Sequence, residues 1–130
     1  MSNARFRAGM IGAGNICEFH VAAVKKLAPE VELVGIVDLD QERARANAEK
    51  WGTTAHASLD ALVAAGANVI HVLTPPAAHG AVAMAALERG CHVLIEKPIT
   101  EDPEEARRIE ALARKKGLVV SVNHSLLYDP

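Results

Sequence analysis

Large aromatic side chains are nearly absent from this chain: Trp51, Tyr128, Phe6 and Phe19 are all it has in 130 residues. That supply suits a β-sandwich poorly and suits helices packed on a sheet. Cysteine is equally scarce. Cys17 and Cys91 are too few for a disulfide framework and point to reduced thiols in a cytoplasmic protein. Neither sign of charge is in excess, since 14 basic and 16 acidic residues leave a formal charge of −2. Such a balance argues against a nucleic-acid footprint and against a membrane-attracting surface. No run approaches about 18 apolar residues, and the first residues lack the apolar core of a signal peptide. The histidines show no HxxxH spacing and the cysteines no CxxC spacing, so no metal is expected.

What the chain does have is alternation. Half of its residues are apolar, most of them Ala, Val and Leu. They fall into short β-branched runs separated by stretches of helical period. Arg5 to Ile11, Val31 to Val37, Asn68 to Leu73, His92 to Glu96 and Leu118 to Val122 read as strands, and Thr53 to Ala57 as a short edge strand. Between them, Ile16, Phe19, Ala23 and Leu27 recur at helical spacing, and Asp40, Ser58 and Asp102 stand where helix N-caps belong. Asp102-Pro103-Glu104-Glu105 is a strong helix start, with a cap, a proline at the first helical position and a glutamate at the third. Strands alternating with helices imply a parallel sheet covered on both faces, and right-handed crossovers make it doubly wound. The expectation is an α/β domain of about six strands over residues 1–123, with 124–130 starting a link to something further.

Chemistry enters at the first strand-to-helix turn, Gly9-Met10-Ile11-Gly12-Ala13-Gly14-Asn15-Ile16-Cys17. Gly12 permits a tight turn, and Gly14 removes the Cβ that would block a pyrophosphate. The backbone N–H groups of Asn15 and Ile16, at the helix start, would face its charge. Cys17 replaces the usual third glycine or alanine and is small enough for close helix–strand packing. A glycine pattern alone is weak, but this one follows a strand, opens a helix and begins a βα series, as a Rossmann fold requires. Asp38 ends the second strand, 24 positions after Gly14. A carboxylate there accepts the adenosine ribose hydroxyls and repels a 2′-phosphate, and no arginine follows it directly. Because Asp40 already serves as the helix cap, Asp38 is read as the ribose ligand. The cofactor expected is NAD rather than NADP.

Two further stretches are more specific: Val72-Leu73-Thr74-Pro75-Pro76-Ala77-Ala78-His79, and Gly90-Cys91-His92-Val93-Leu94-Ile95-Glu96-Lys97-Pro98. Together with the glycine turn and Asp38, they resemble the N-terminal domain of the Gfo/Idh/MocA oxidoreductases over essentially the whole chain. The resemblance implies that Leu73, Thr74 and Pro75 line the dinucleotide. It also implies that Lys97, in the Glu-Lys-Pro segment, touches the substrate hydroxyl beside the nicotinamide as the catalytic group. A lysine at a strand end is ordinarily a solvated charge. Its flanks Glu96 and Pro98, and a place in the crevice beyond the strand ends, favour the functional role. Glu96 either orients the cofactor ribose or fixes the loop. His79 either approaches the cofactor or packs behind it, and Asn123 could face the nicotinamide. His20, His56, His71 and His92 are read as structural or surface residues.

Members of that family continue into a second domain that supplies most of the substrate pocket. The expectation is therefore an NAD(H)-binding domain of an oxidoreductase that moves a hydride between the cofactor and a sugar, polyol or related hydroxyl or carbonyl compound. On its own it would hold the cofactor without full activity. The alternative is a non-catalytic nucleotide-binding or interaction module descended from such an enzyme. A lysine at the nicotinamide has no use in a pure binding module, which favours the first. The apolar surface meant for the second domain would also permit a homo-oligomer.

Overall fold

The computed structural model describes residues 4–96 and 100–123. Five strands form one sheet: β1 (Phe6–Ile11), β2 (Val31–Val37), β3 (Val69–Val72), β4 (His92–Glu96) and β5 (Val120–Asn123). Their order is β2-β1-β3-β4-β5, and every pairing is parallel. Five helices connect them: α1 (Cys17–Lys26), α2 (Gln41–Trp51), α3 (Leu59–Ala64), α4 (Pro76–Glu88) and α5 (Pro103–Lys116). The chain winds from β1 outward to β2, then returns past β1 to β3. The two halves diverge between β1 and β3, the switch point at which a doubly wound sheet opens a crevice.

The expected edge strand at Thr53–Ala57 is reduced to a single parallel bridge between Ile36 and Ala55. The described residues therefore hold five strands where about six were expected. Capping follows the sequence more closely. The Asp40 carboxylate accepts from the N–H groups of Glu42 and Arg43, Ser58 from Ala61 and Asp102 from Glu104. Glu105 does not turn back to its own cap. Its carboxylate accepts from the Thr100 hydroxyl, and the Asp102 N–H donates to that same hydroxyl oxygen.

Both sheet faces are buried. On one, Cys17, Val21 and Val24 of α1 and Ala48 of α2 pack against Ala8, Met10 and Ile36. On the other, Leu62, Ala83, Leu87 and Ile109 from α3, α4 and α5 cover Ile11, Ile70, Val72, Val93 and Ile95. Each fully buried Leu or Ile contributes about 1.5–3 kcal/mol relative to exposure. Strand β2 departs from strict alternation. Ala8 pairs with Leu33 but Gly9 pairs with Gly35, so Val34 is one residue extra. Leu33 and Ile36 thereby share the α1 and α2 face, three positions apart, while Val34 and Val37 pack on the opposite face. Because side chains alternate with period two, this bulge turns the next residue in phase with Ile36, namely Asp38, toward α2.

A polar cluster is buried between α1 and the carboxyl ends of β3 and β4. His20 Nδ1 lies 2.8 Å from His71 Nδ1, and His20 Nε2 lies 2.6 Å from Glu96 Oε1. His20 and His71 are 5% and 8% exposed, so neither is the surface residue that its isolated position in the sequence allowed. Burial, and then the proximity of His20, push the His71 imidazole down to about 3. It stays neutral in the fold at every pH where an unfolded histidine would titrate.

That neutrality sets a pH dependence. Between pH ~6.5 and pH ~3 the unfolded chain binds a proton at His71 that the folded chain refuses, so stability is full above this window and declines as pH falls through it. Thermal denaturation should lose roughly 1–2 kcal/mol between pH 7 and pH 5. A His71→Gln variant, although weaker at pH 7, should show a shallower slope. Equal slopes would remove His71 from the account.

Candidate functional site

The glycine turn owes its shape to two glycines that differ in what they make room for. Gly12 has φ +109°, and a Cβ there would lie 2.7 Å from the Leu73 carbonyl oxygen. Its place is fixed by the close approach of the β1 and β3 ends, reinforced by Gly12 N–H donating to Val37 O and Leu73 N–H to Ile11 O. Gly14 is the opposite case, since a Cβ there would meet no protein atom within 4 Å. Nothing in the fold requires its smallness; it leaves a cradle open to the outside. Next to it, α1 begins at Cys17, and Ile16 at its N-cap makes no side-chain capping bond, which leaves a positive helix end facing that cradle.

A cavity of about 580 Å³ lies over this turn. Its walls are Ile11, Gly12, Gly14, Asn15 and Ile16 from the β1–α1 turn, and Val37, Asp38 and Leu39 after β2. Leu73, Thr74 and Pro75 after β3 continue them, with Arg43, Ala78 and Val82 from α2 and α4. Most of the residues singled out in the sequence for the dinucleotide therefore converge on one crevice of ligand size. Thr74 Oγ1 is buried there with no hydrogen-bond partner among the described residues. An orphaned hydroxyl, an uncapped helix end and an open glycine cradle fit a phosphate-bearing dinucleotide. A larger cavity of about 780 Å³ sits at the opposite, amino ends of the strands, around Val24, Pro29, Val31 and Trp51. It meets the C-terminal ends of α1 and α2, whose exposed carbonyls repel phosphate, so it is not the dinucleotide site.

Asp38 is held by the backbone. Its Oδ2 accepts from the Ala13 N–H at 2.6 Å and its Oδ1 from the Asp40 N–H at 2.8 Å. Arg43 adds Nη2 at 2.9 Å from Oδ2 and 3.1 Å from Oδ1, with Nε at 3.3 Å from Oδ2. Burial alone would raise this carboxyl. The two backbone donors and the guanidinium outweigh it and hold the group below the ordinary carboxylate value. Asp38 is an anion whenever the fold is intact near neutral pH.

The remaining candidates divide. His79 is 1% exposed and lies behind the cavity wall, with its Nε2 2.7 Å from the Thr74 carbonyl oxygen, where it fixes the Thr74-Pro75 turn. Glu96 closes β4 beside His20, and its register partner on β5 is Asn123. Lys97 lies outside the described residues. The thiol of Cys17 is fully buried and pushed up to about 12 by burial and by Asp38, so at neutral pH it packs and does not react.

Two features escaped the sequence reading. Arg43 stands five positions after Asp38 rather than directly after it, yet the first turn of α2 brings it back onto the carboxylate. A basic residue at the third helical position beyond a strand-end acid was the available signal. The His20–His71–Glu96 contact joins residues 51 and 76 positions apart and left no local signal.

With this geometry in hand, known proteins place the chain. The family described as an oxidoreductase family with an NAD-binding Rossmann fold matches residues 6–124. UDP-N-acetylglucosamine 3-dehydrogenase from Acidithiobacillus ferrooxidans is 38% identical over 118 residues, covering 91% of this chain and 36% of that protein. KijD10, a 3-ketoreductase from Actinomadura kijaniata solved with NADP and TDP-benzene, superposes with a TM-score of 0.83 at 31% identity, over 91% of this chain and 37% of that one. The WlbA dehydrogenase from Chromobacterium violaceum, solved with NADH and UDP-GlcNAcA, gives 0.86 at 28% identity, over 95% and 36%. The chain thus spans little more than a third of the relatives it matches. Its glycine turn, Asp38 and Thr74-Pro75 segment sit within the matched stretch, and the chain belongs to the Gfo/Idh/MocA oxidoreductase family as an NAD-binding Rossmann domain.

Proposed function

We propose that this chain is the cofactor half of an oxidoreductase acting on a hydroxyl or carbonyl carbon of a sugar or polyol. The observation that carries the reading is the crevice itself. Gly14, the start of α1, Asp38 and Thr74, whose buried hydroxyl has no hydrogen-bond partner among the described residues, line one cavity at the switch point of the sheet. Two of the three relatives named above carry a nucleotide-linked sugar in their name or ligand, and the third is a 3-ketoreductase solved with a TDP-linked ligand, which supports the substrate class. Bound there, NAD would supply hydride acceptance and donation. The chain's own part is to hold the cofactor: N–H groups at Gly14, Asn15 and Ile16 on the pyrophosphate, Asp38 on the adenosine ribose, and Leu73, Thr74 and Pro75 along its length.

We assign the proton at the substrate hydroxyl to Lys97, with Glu96 holding the strand end beside it and Asn123 next to Glu96 on the neighbouring strand. The domain would run over residues 1–123, and 124–130 would begin the link to a substrate-binding domain that would supply the remaining wall of the pocket. Two free, buried thiols support a reducing, cytoplasmic setting. Among the described residues no helix is long and apolar enough to cross a membrane. The second reading, a non-catalytic nucleotide-binding module, uses the same crevice but leaves Lys97 without a task.

Calorimetric titration should detect NADH binding, and failure at millimolar concentration would end the proposal. Gly14→Ala should leave the melting temperature nearly unchanged, because its methyl meets no protein atom, yet weaken NADH by tenfold or more as it fills the pyrophosphate cradle. Gly12→Ala should unfold the turn, being strained at positive φ and pressed on Leu73. In a chain carrying both domains, Lys97→Met should lower kcat by about 10²–10⁴ with NADH affinity nearly intact. A fully active Lys97→Met enzyme would support the non-catalytic assignment of that lysine.

A further inference from the structure

A glutamate three residues after an N-cap ordinarily turns back to the N–H of the cap residue. In α5 a third group stands between the two. The Thr100 hydroxyl donates to Glu105 Oε1 at 2.5 Å, and its oxygen accepts from the Asp102 N–H at 3.3 Å. Both functions of that hydroxyl are engaged. Thr100 is thereby tied to the first turn of a helix to which it does not belong.

Glu105 is itself seated on α4. A Cβ at Gly80 would lie 1.9 Å from Glu105 Cδ and 2.0 and 2.3 Å from its carboxylate oxygens. The carboxylate thus occupies the volume that a side chain at position 80 would fill. Gly80 is buried within a 13-residue helix, where glycine lowers stability relative to alanine. The approach of Glu105 is the physical reason for a glycine there. The preceding residue, His79, holds the Thr74 carbonyl on the wall of the dinucleotide cavity. Neighbouring residues of α4 therefore brace the exits of two strands. His79 fixes the turn after β3, and Gly80, through Glu105 and Thr100, fixes the connection after β4.

Lys97 stands in that second connection, one residue after Glu96 and three before Thr100. Glu96 is placed by its register on β5 and by His20 Nε2 at 2.6 Å. It sets where the chain leaves the sheet, and Thr100 sets the direction taken from there. Neither Thr100 nor Glu105 is among the described residues that line the cavity.

We propose that Glu105, acting through the Thr100 hydroxyl, is the positioning residue that presents Lys97 to the nicotinamide. The proposal rests on the roles assigned above to Lys97 and to the larger cavity. Glu105 contributes no proton and no contact to the cofactor. The glycine turn and Asp38 hold the dinucleotide without its help, so its loss misplaces the lysine and leaves cofactor affinity standing.

The test is chemical footprinting of this chain. Lysine amines are labelled with acetic anhydride and read by mass spectrometry, with and without saturating NADH. Calorimetry gives NADH affinity, and melting reports the fold. In wild type, NADH should slow the labelling of Lys97 by about tenfold or more, while Lys115, in the last turn of α5, is unaffected. Thr100→Val keeps the side-chain shape and removes the hydroxyl. Because a hydrogen bond to a carboxylate shifts the held population by about tenfold or more, this variant should retain less than about threefold protection. Its NADH affinity should stay within about threefold of wild type. Thr100→Ser should restore protection, and Glu105→Ala should match Thr100→Val. Glu105→Gln, which keeps an acceptor and should protect partly, serves if the other variants fail to fold. Undiminished protection in Thr100→Val or Glu105→Ala would overturn the proposal, as would failure of serine to restore it. Loss of NADH affinity in step with protection would make the pair a general support of the fold and overturn it equally. Wild-type chain in which NADH leaves Lys97 unprotected, or does not bind, would instead overturn the assignments beneath it.

Discussion

One hydrogen bond ties the crevice together: the Ala13 N–H, in the middle of the glycine turn, donates to the Asp38 carboxylate at 2.6 Å. It joins the end of β1 to the end of β2 at the point where the backbone of β1 has just left the sheet. An acid buried there with one donor too few would be driven to neutrality. The Asp40 N–H and Arg43 complete its shell, so the anion is stable and the turn acquires a fixed position relative to β2. The bulge at Val34 is part of the same arrangement. Without the extra residue, period two would leave Asp38 on the opposite face, away from both Ala13 and Arg43. A local irregularity in an edge strand thus decides the chemistry of a loop four residues later.

The two glycines of the turn separate folding from binding. Gly12 answers to the protein, because its φ and its contact with Leu73 leave no room for a side chain. Gly14 answers to whatever lies outside, because its missing Cβ faces open space. A turn selected only for stability would gain by replacing the second with alanine, which narrows the unfolded ensemble without strain. Keeping glycine there has a physical rationale only if something must approach the backbone closely, and that is the strongest reason to read the cradle as a phosphate seat.

How much of this was legible in the sequence depended on the range of the interaction. Helix starts at Asp40, Ser58 and Asp102 were readable because a cap is a contact over two or three residues. The strands were readable because both of their faces are buried and the runs are β-branched. Thr53–Ala57 misled because its composition suits a strand, yet the turn through His56 and Ser58 into α3 leaves it one bridge long. The glycine turn, Asp38 and Thr74-Pro75 could be placed because their task is set by main-chain geometry at strand ends. Arg43 was hidden by a rule that looked only at the residues directly after the acid. His20, His71 and Glu96 were hidden more deeply, since helix α1 and strands β3 and β4 must be docked before they meet.

That last contact also explains an asymmetry between two strand ends, that of β2 at Asp38 and that of β4 at Glu96. At the Asp38 end the acid is satisfied mainly by backbone N–H groups of its own neighbourhood, which any sequence with the same turn would supply. At the Glu96 end a partner is a histidine from α1, itself bonded to a histidine of β3. Neutral His71 cannot hold a charge, so it serves His20 as a hydrogen-bonding partner, and its tautomer decides which way the Nδ1–Nδ1 bond is polarised. If His71 donates, neutral His20 can donate its Nε2–H to an ionised Glu96; if it accepts, His20 must carry a proton on both nitrogens to do so. The Asp38 end is therefore encoded by local turn chemistry that tolerates change around it. The end next to the Glu-Lys-Pro segment depends on side chains from three elements, and substitutions deep beneath it will be felt at the strand end.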